Sequence, residues 1–203
     1  MQNFPVERIN WAVPDIHEAL GMSWNSSTSR RHRRATTHSA LALAATLMLS
    51  APPVWGQEAL APPQGPAILT VEGNIAVTNG EGVAAFDRDM FLGLGTTKVT
   101  TTTPWTDGPH VFSGVLARTV FEKVGAEGTV VLASALNDYT VEIPMSDFQD
   151  YDVLLATEMD GEQMQVSDKG PIWIVYPRDD EPALQDRRVN ERWVWQLKAL
   201  RVQ

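Results

Sequence analysis

Few side chains in this sequence are equipped for chemistry. Cysteine is absent, and of four histidines only His110 lies beyond residue 57. Thiol nucleophiles, disulfides, zinc knuckles, iron–sulfur ligation and His-rich metal sites are thereby excluded. The sequence has no G-x-S-x-G, no phosphate-cradling glycine loop, and no carboxylate pair with a visible division into acid and base. The acidic runs at Asp147–Asp152 and Asp179–Glu181 lack the ligand spacing of a calcium loop. What remains are polar and aromatic residues suited to holding a ligand rather than transforming one.

The stretch KGPIWIVYP, Lys169 to Pro177, is an apolar, strand-forming run with a basic head, Tyr176 near its end and Arg178 just beyond. Lys169 and Arg178 are candidates for an anionic ligand at the two ends of that strand. The simpler reading is that they balance Asp168, Asp179 and Asp180. Asn137, Asp138 and Tyr139 fall between two strand-like runs. They read as a turn, because Asn and Asp tolerate left-handed backbone, and alternatively as the polar mouth of a pocket. Trp105 follows Pro104 in a polar loop and is expected to be exposed. Trp173, Trp193 and Trp195, set in alternating runs, are expected in the core. His110 and Tyr176 complete the ligand-binding candidates, and no residue is given a catalytic or metal-binding role.

The elements that must position these residues can be read from periodicity. Strands are predicted at Ala67 to Ile75, Lys98 to Trp105, Thr129 to Leu136 (buried on both faces) and Tyr139 to Pro144. A hairpin is predicted about Asp160-Gly161, with strands at Asp152–Met159 and Glu162–Val166. PIWIVYP gives a further strand. ERWVWQLKALRV closes the chain as a continuous one, with Trp193, Trp195, Leu197 and Ala199 on one face. Asp87 caps a short helix through Met90 and Phe91. Ser113 caps the longest helix, which stops at Gly125. Ser146 and Gln149 form a capping box for a single helical turn. The expected fold class is α+β: mostly mixed β-sheet with two or three short helices.

Length, at 203 residues, suits one globular domain. Residues 1–56 read as an N-terminal extension and signal peptide. Arg30, Arg31, Arg33 and Arg34 precede the apolar Ala40 to Ala51, shorter than the roughly 20 residues that a membrane-spanning helix needs. Cleavage is expected before Gln57, and a translation start at Met22 would shorten the long stretch ahead of the apolar core. Residues 57–66 form a flexible, proline-rich lead-in, and 67–203 the folded domain. The formal net charge is −9, and residues 1–56 hold five of the 16 Lys and Arg but only three of the 25 acids. The remainder is thus strongly acidic, which argues against nucleic acid and anionic lipid as partners. The expected location is periplasmic or secreted, with no stable membrane span after signal cleavage.

Several phrases, in order, resemble the molybdopterin-binding domain of the sulfite-oxidase family across about residues 67–202. VFSGVLARTVFEKVGA, Val111 to Ala126, stands where that family has W-x-G-V-P-L-x-x-L-L-x-x-A-G. LNDYTVEIP, VLLATEMDGEQM, KGPIWIVYP and RWVWQLKAL follow in the family's order. The resemblance implies a sulfite-oxidase-like fold and molybdopterin as the cofactor it would allow. It also implies a molybdenum-binding cysteine in the stretch that here is TTTTPWTDGPH, Thr100 to His110, which has none. Nor does the family's G-x-P-x-R arginine survive, since Trp173 or Ile174 stands in its place. A high-valent molybdenum centre takes a soft anionic sulfur from protein, and neither Thr nor Trp supplies one. The favoured expectation is an exported, non-catalytic module with no resident cofactor, binding an unknown small molecule or an envelope protein. Its rival is a periplasmic molybdopterin-dependent oxidoreductase that holds the cofactor without a protein thiolate, and a structural envelope role is a third.

Overall fold

Alternation builds the first sheet. In β1 (Ala67–Gly73), Leu69 and Val71 are buried while their neighbours are half-buried or exposed, the period-2 pattern of a strand with one covered face. The computed structural model describes residues 59–203. The expected export segment and the first residues of the lead-in lie outside these described residues. β2 (Val83–Asp87) pairs antiparallel with β1. No strand is predicted there, because VAAFD is too short and alanine-rich to carry a β signal until β1 supplies its partner. Asp87 caps α1 (Arg88–Leu92) as expected, accepting from the Met90 amide at 2.9 Å. Its other oxygen accepts from the Gln64 and Gly65 amides at 2.7 and 3.1 Å. One carboxylate thus starts a helix and ties down the lead-in, and these amides, that of Met90 foremost, hold it below the usual carboxylate range.

The principal correction concerns the longest predicted helix. β3 (Thr97–Thr102) pairs with β4 (Pro109–Leu116), and α2 spans only Ala117–Val124. Ser113 is therefore a strand residue, and Leu116, with extended backbone and no side-chain cap, precedes the helix. Gly114 explains the difference. It lies so close to the backbone of Leu155 and Ala156 that a Cβ would collide with both, so the segment is a ladder partner and not a helical turn. Gly125 ends α2 in the left-handed conformation (φ 59°), as the sequence predicts.

β5 (Val130–Ala135) alternates buried and half-buried residues instead of being covered on both faces. It pairs with β6 (Thr140–Pro144). α3 (Met145–Asp150) forms without the predicted Ser146–Gln149 box. The Met145 amide donates to the Thr129 carbonyl at 2.9 Å instead, so a neighbouring strand end serves as the cap. β7 (Leu154–Met159) and β8 (Glu162–Gln163) turn at Asp160 and Gly161, both at positive φ (54° and 83°), the backbone that a two-residue hairpin requires. β9 (Trp173–Val175) is fully buried and pairs with β7.

The predicted closing strand is divided. A 3-10 segment occupies Arg187–Arg192, after another at Pro182–Gln185, and β10 begins only at Leu197 and runs to Val202. Gln196, at φ 51°, breaks the alternation. Trp193 and Trp195 are consequently not on the face of β10. Trp193 is buried, and Trp195 is 37% exposed.

Two five-stranded sheets result. The first, ordered β2-β1-β10-β5-β6, is mixed, with β1 and β10 parallel. The second, β3-β4-β7-β8 with β9 also on β7, is antiparallel. Their buried residues join one core that includes Leu69, Phe86, Ile143, Phe112, Leu155 and Ile174. The α+β class is as expected. No helix among the described residues is long and apolar enough to cross a membrane.

Candidate ligand site in an aromatic cleft

The β3–β4 connection is organised by its own threonines. The Thr102 amide and hydroxyl donate to Asp179 at 2.7 and 2.5 Å, and the Asp179 amide donates back to the Thr101 hydroxyl at 3.3 Å. The Thr103 and Thr106 hydroxyls lie 2.8 Å apart, and the Trp105 amide donates to Thr103 Oγ1 at 3.1 Å. With its backbone held in this way, Trp105 leans into a cluster of tryptophans. Its ring centroid is 6.5 Å from Trp173, 5.9 Å from Trp193 and 5.5 Å from Trp195, with planes inclined by 62°, 58° and 80°. Trp173 and Trp193, 6.1 Å apart, continue the cluster into the core, where Phe112 and Tyr176 meet them.

Trp105, Tyr139, Trp193 and Trp195 are the aromatic lining of a cleft of about 330 Å³. Ala135, Asn137, Asn190, Glu191 and Val194 complete the lining. Three stretches distant in sequence make this site: the β3–β4 loop, the β5–β6 turn, and the segment between the last 3-10 turn and β10. Tyr139 is 48% exposed, and its hydroxyl reaches the Glu191 carbonyl at 3.4 Å.

The candidates read from the sequence disperse around this cleft. Trp105, exposed as expected, lines it together with Asn137 and Tyr139. Asp138 sits in the same turn at φ 66° but points away, to Lys198 at 2.6 Å. Lys169 lies 5.5 Å over the Trp173 ring and 2.8 Å from Asp168, in a hollow that it shares with Trp105 and Trp195. His110 is on β4, where Nδ1 meets Asp160 Oδ2 at 2.6 Å and the Val111 amide donates to Asp160 Oδ1, locking the β7–β8 turn. Tyr176 is fully buried behind Trp193, donating to Asp147 Oδ2 at 3.0 Å. Burial first, then the Asp147 charge and hydrogen bond, push its hydroxyl well above the usual tyrosine range. Arg178 is half-buried, with Nε enclosed and without a partner.

Sequence reading misses Asn190, Glu191 and the boundary role of Trp193 and Trp195. The signal that could have found them is Asp186: its carboxylate accepts from the Arg188 amide at 2.9 Å and begins the 3-10 turn. Bidentate pairing with the Arg188 side chain holds Asp186 down to about 2. Asp is a preferred cap residue, and a cap at Asp186 starts a helical turn over Arg187–Arg192 that excludes a continuous strand from Glu191.

Residues 88–179 match the family model described as the oxidoreductase molybdopterin binding domain. No curated protein matches the chain at a significant level. The solved structures that match include the sulfane dehydrogenase SoxCD from Paracoccus pantotrophus, at 18% identity and a TM-score of 0.48 over 66% of this chain. The chain spans just over a third, 37%, of the length of that protein.

The donor set around the cleft does not fit a molybdenum centre. The hard donors on the Thr100–His110 stretch are its threonine hydroxyls and the Asp107 carboxylate, and the hydroxyls of Thr102 and Thr103 are already engaged with Asp179 and Thr106. The indole of Trp105 projects from this loop, and the chain has no thiolate to offer. The one acidic residue on the cleft lining, Glu191, disfavours a phosphate there, and Arg192 beside it is bound to Asp147 at 2.6 Å.

Proposed function

We propose, from the match of residues 88–179 to the oxidoreductase molybdopterin binding domain model, that this chain is a non-catalytic binding module built on that family's fold. Trp105 carries this reading. It projects from the stretch where the family places its metal-binding cysteine, and it packs against three other tryptophans to make a ligand-sized aromatic wall. A concave, mostly apolar cleft with a few polar groups at its edge is the usual form of a small-molecule site. Export belongs to the same reading, supported by the Arg30–Arg34 block and the apolar Ala40 to Ala51. It makes 67–203 the working domain of a periplasmic or secreted protein.

The test is production of the full chain in a molybdenum-replete host that can export it. The purified protein is then assayed for metal by mass spectrometry and for released pterin by fluorescence, and its N-terminus is sequenced. Molybdenum and pterin are expected at background level, with a chain beginning near Gln57. Both at one per protein would overturn the reading in favour of an oxidoreductase that holds its cofactor without a protein sulfur.

A further inference from the structure

We propose that the cleft takes a small organic cation, an alkyl- or arylammonium, which rests on the binding-module reading and names its ligand class. Four aromatic residues line the space. Trp105 stands at 80° to Trp195 and 58° to Trp193 instead of stacking in parallel, and Trp105, Tyr139 and Trp195 remain 39%, 48% and 37% exposed. Ring faces are the negative side of an aromatic quadrupole and attract a cation laid against them. The one acidic residue on the lining is Glu191, which is exposed and forms no ion pair among the described residues.

The same cluster already holds a cation, in a hollow shared with Trp105 and Trp195. Lys169 Nζ lies 5.5 Å over the Trp173 ring, with Asp168 Oδ1 at 2.8 Å as its countercharge. Aromatic face, ammonium and carboxylate are complete there. Around Tyr139, Trp195 and Glu191, exposed aromatic rings and an acidic residue recur with no basic residue on the lining. An anion has nothing to pair with in this cleft, and the chain's net charge of −9 opposes its approach. A neutral apolar guest would use the rings and leave Glu191 idle. A volume of about 330 Å³ suits a ligand of a dozen or fewer heavy atoms rather than a macromolecular segment.

Choline and its uncharged isostere 3,3-dimethylbutan-1-ol separate charge from shape. Tryptophan fluorescence and NMR titrations of the purified protein are expected to show choline bound about tenfold more tightly than the alcohol. Added salt should weaken choline alone. Glu191→Gln, at an exposed position, should keep the wild-type unfolding midpoint, lower choline affinity several-fold and leave the alcohol unchanged. Equal binding of the two probes, or binding of neither, would overturn the proposal. Either result is distinct from failure of the binding-module reading, which requires stoichiometric molybdenum and pterin in the preparation.

Discussion

Asp147 and Glu191 are carboxylates on opposite sides of the same stretch of chain, and the fold treats them differently. Asp147, on α3, is buried and accepts from both Tyr176 Oη at 3.0 Å and Arg192 Nη1 at 2.6 Å. These contacts draw the end of the 3-10 turn, and with it Trp193, against the core. Glu191, one residue before Arg192, is exposed, and what Tyr139 touches is its backbone carbonyl rather than its carboxylate. The rear of the segment is polar, enclosed and satisfied, whereas its front is aromatic, open and charged. A buried carboxylate without partners would be intolerable, so the rear shows what holds the segment in place. Glu191, an exposed residue on the lining of the aromatic cleft, has no such structural duty, and the proposed ligand site draws on that difference.

Asp147→Ala breaks the rear most severely. It strands the Tyr176 hydroxyl in the core and leaves the partly buried Arg192 without its counter-ion. The expected loss is about 3 kcal/mol, read as a lower urea midpoint at unchanged slope. It should also loosen Trp193 and shift the tryptophan emission to longer wavelength. Unchanged stability would mean that the segment is fixed by its apolar contacts alone.

Trp105→Ala tests the front. The ring is 39% exposed, so the change should cost about 1–2 kcal/mol, well below the ~3–5 kcal/mol of a fully buried aromatic. Probe binding in the cleft should disappear. A loss as large as that from Asp147→Ala would recast the cleft as an extension of the core.

Tyr176→Phe sharpens the contrast through pH, with a cost near neutrality of about 1 kcal/mol. The folded state raises this hydroxyl above its unfolded value. Above about pH 10 the unfolded chain therefore loses the proton first, and stability falls as pH rises toward the folded value. Below that window the contribution is constant. The variant should show a shallower alkaline limb in its unfolding midpoint, measured from pH 8 to 11. An identical limb would show that Tyr176 ionises freely in the folded protein.

Much of this fold could be read locally. The Asp160-Gly161 hairpin, the Asp87 cap, the Gly125 stop and the strand cores of β1, β5 and β6 all depend on residues within a few positions of one another. The failures share a different cause. Ser113 to Leu116 carries an apolar spacing compatible with a helix, and only the approach of Leu155, some forty positions away, makes it a strand. The final segment alternates convincingly, yet the Asp186 cap and the turn at Gln196 cut it in two. Of the ligand-site candidates, Trp105, Asn137 and Tyr139 reach the cleft because each lies in a loop flagged by its own turn chemistry. His110 and Tyr176 are polar residues in strand surroundings, and their partners, Asp160 and Asp147, could not be found from the sequence.

The sequence by itself determined what this protein lacks: with no cysteine, no arrangement of the chain can present a thiolate to a metal. It also determined the strand-rich character and the acidic surface, since both follow from residue types summed over short windows. Only the tertiary structure decided that Trp105, Tyr139, Trp193 and Trp195 share one cleft with Glu191. That meeting depends on where two sheets and three loops come to rest, and side-chain periodicity carries no information about distance across the fold.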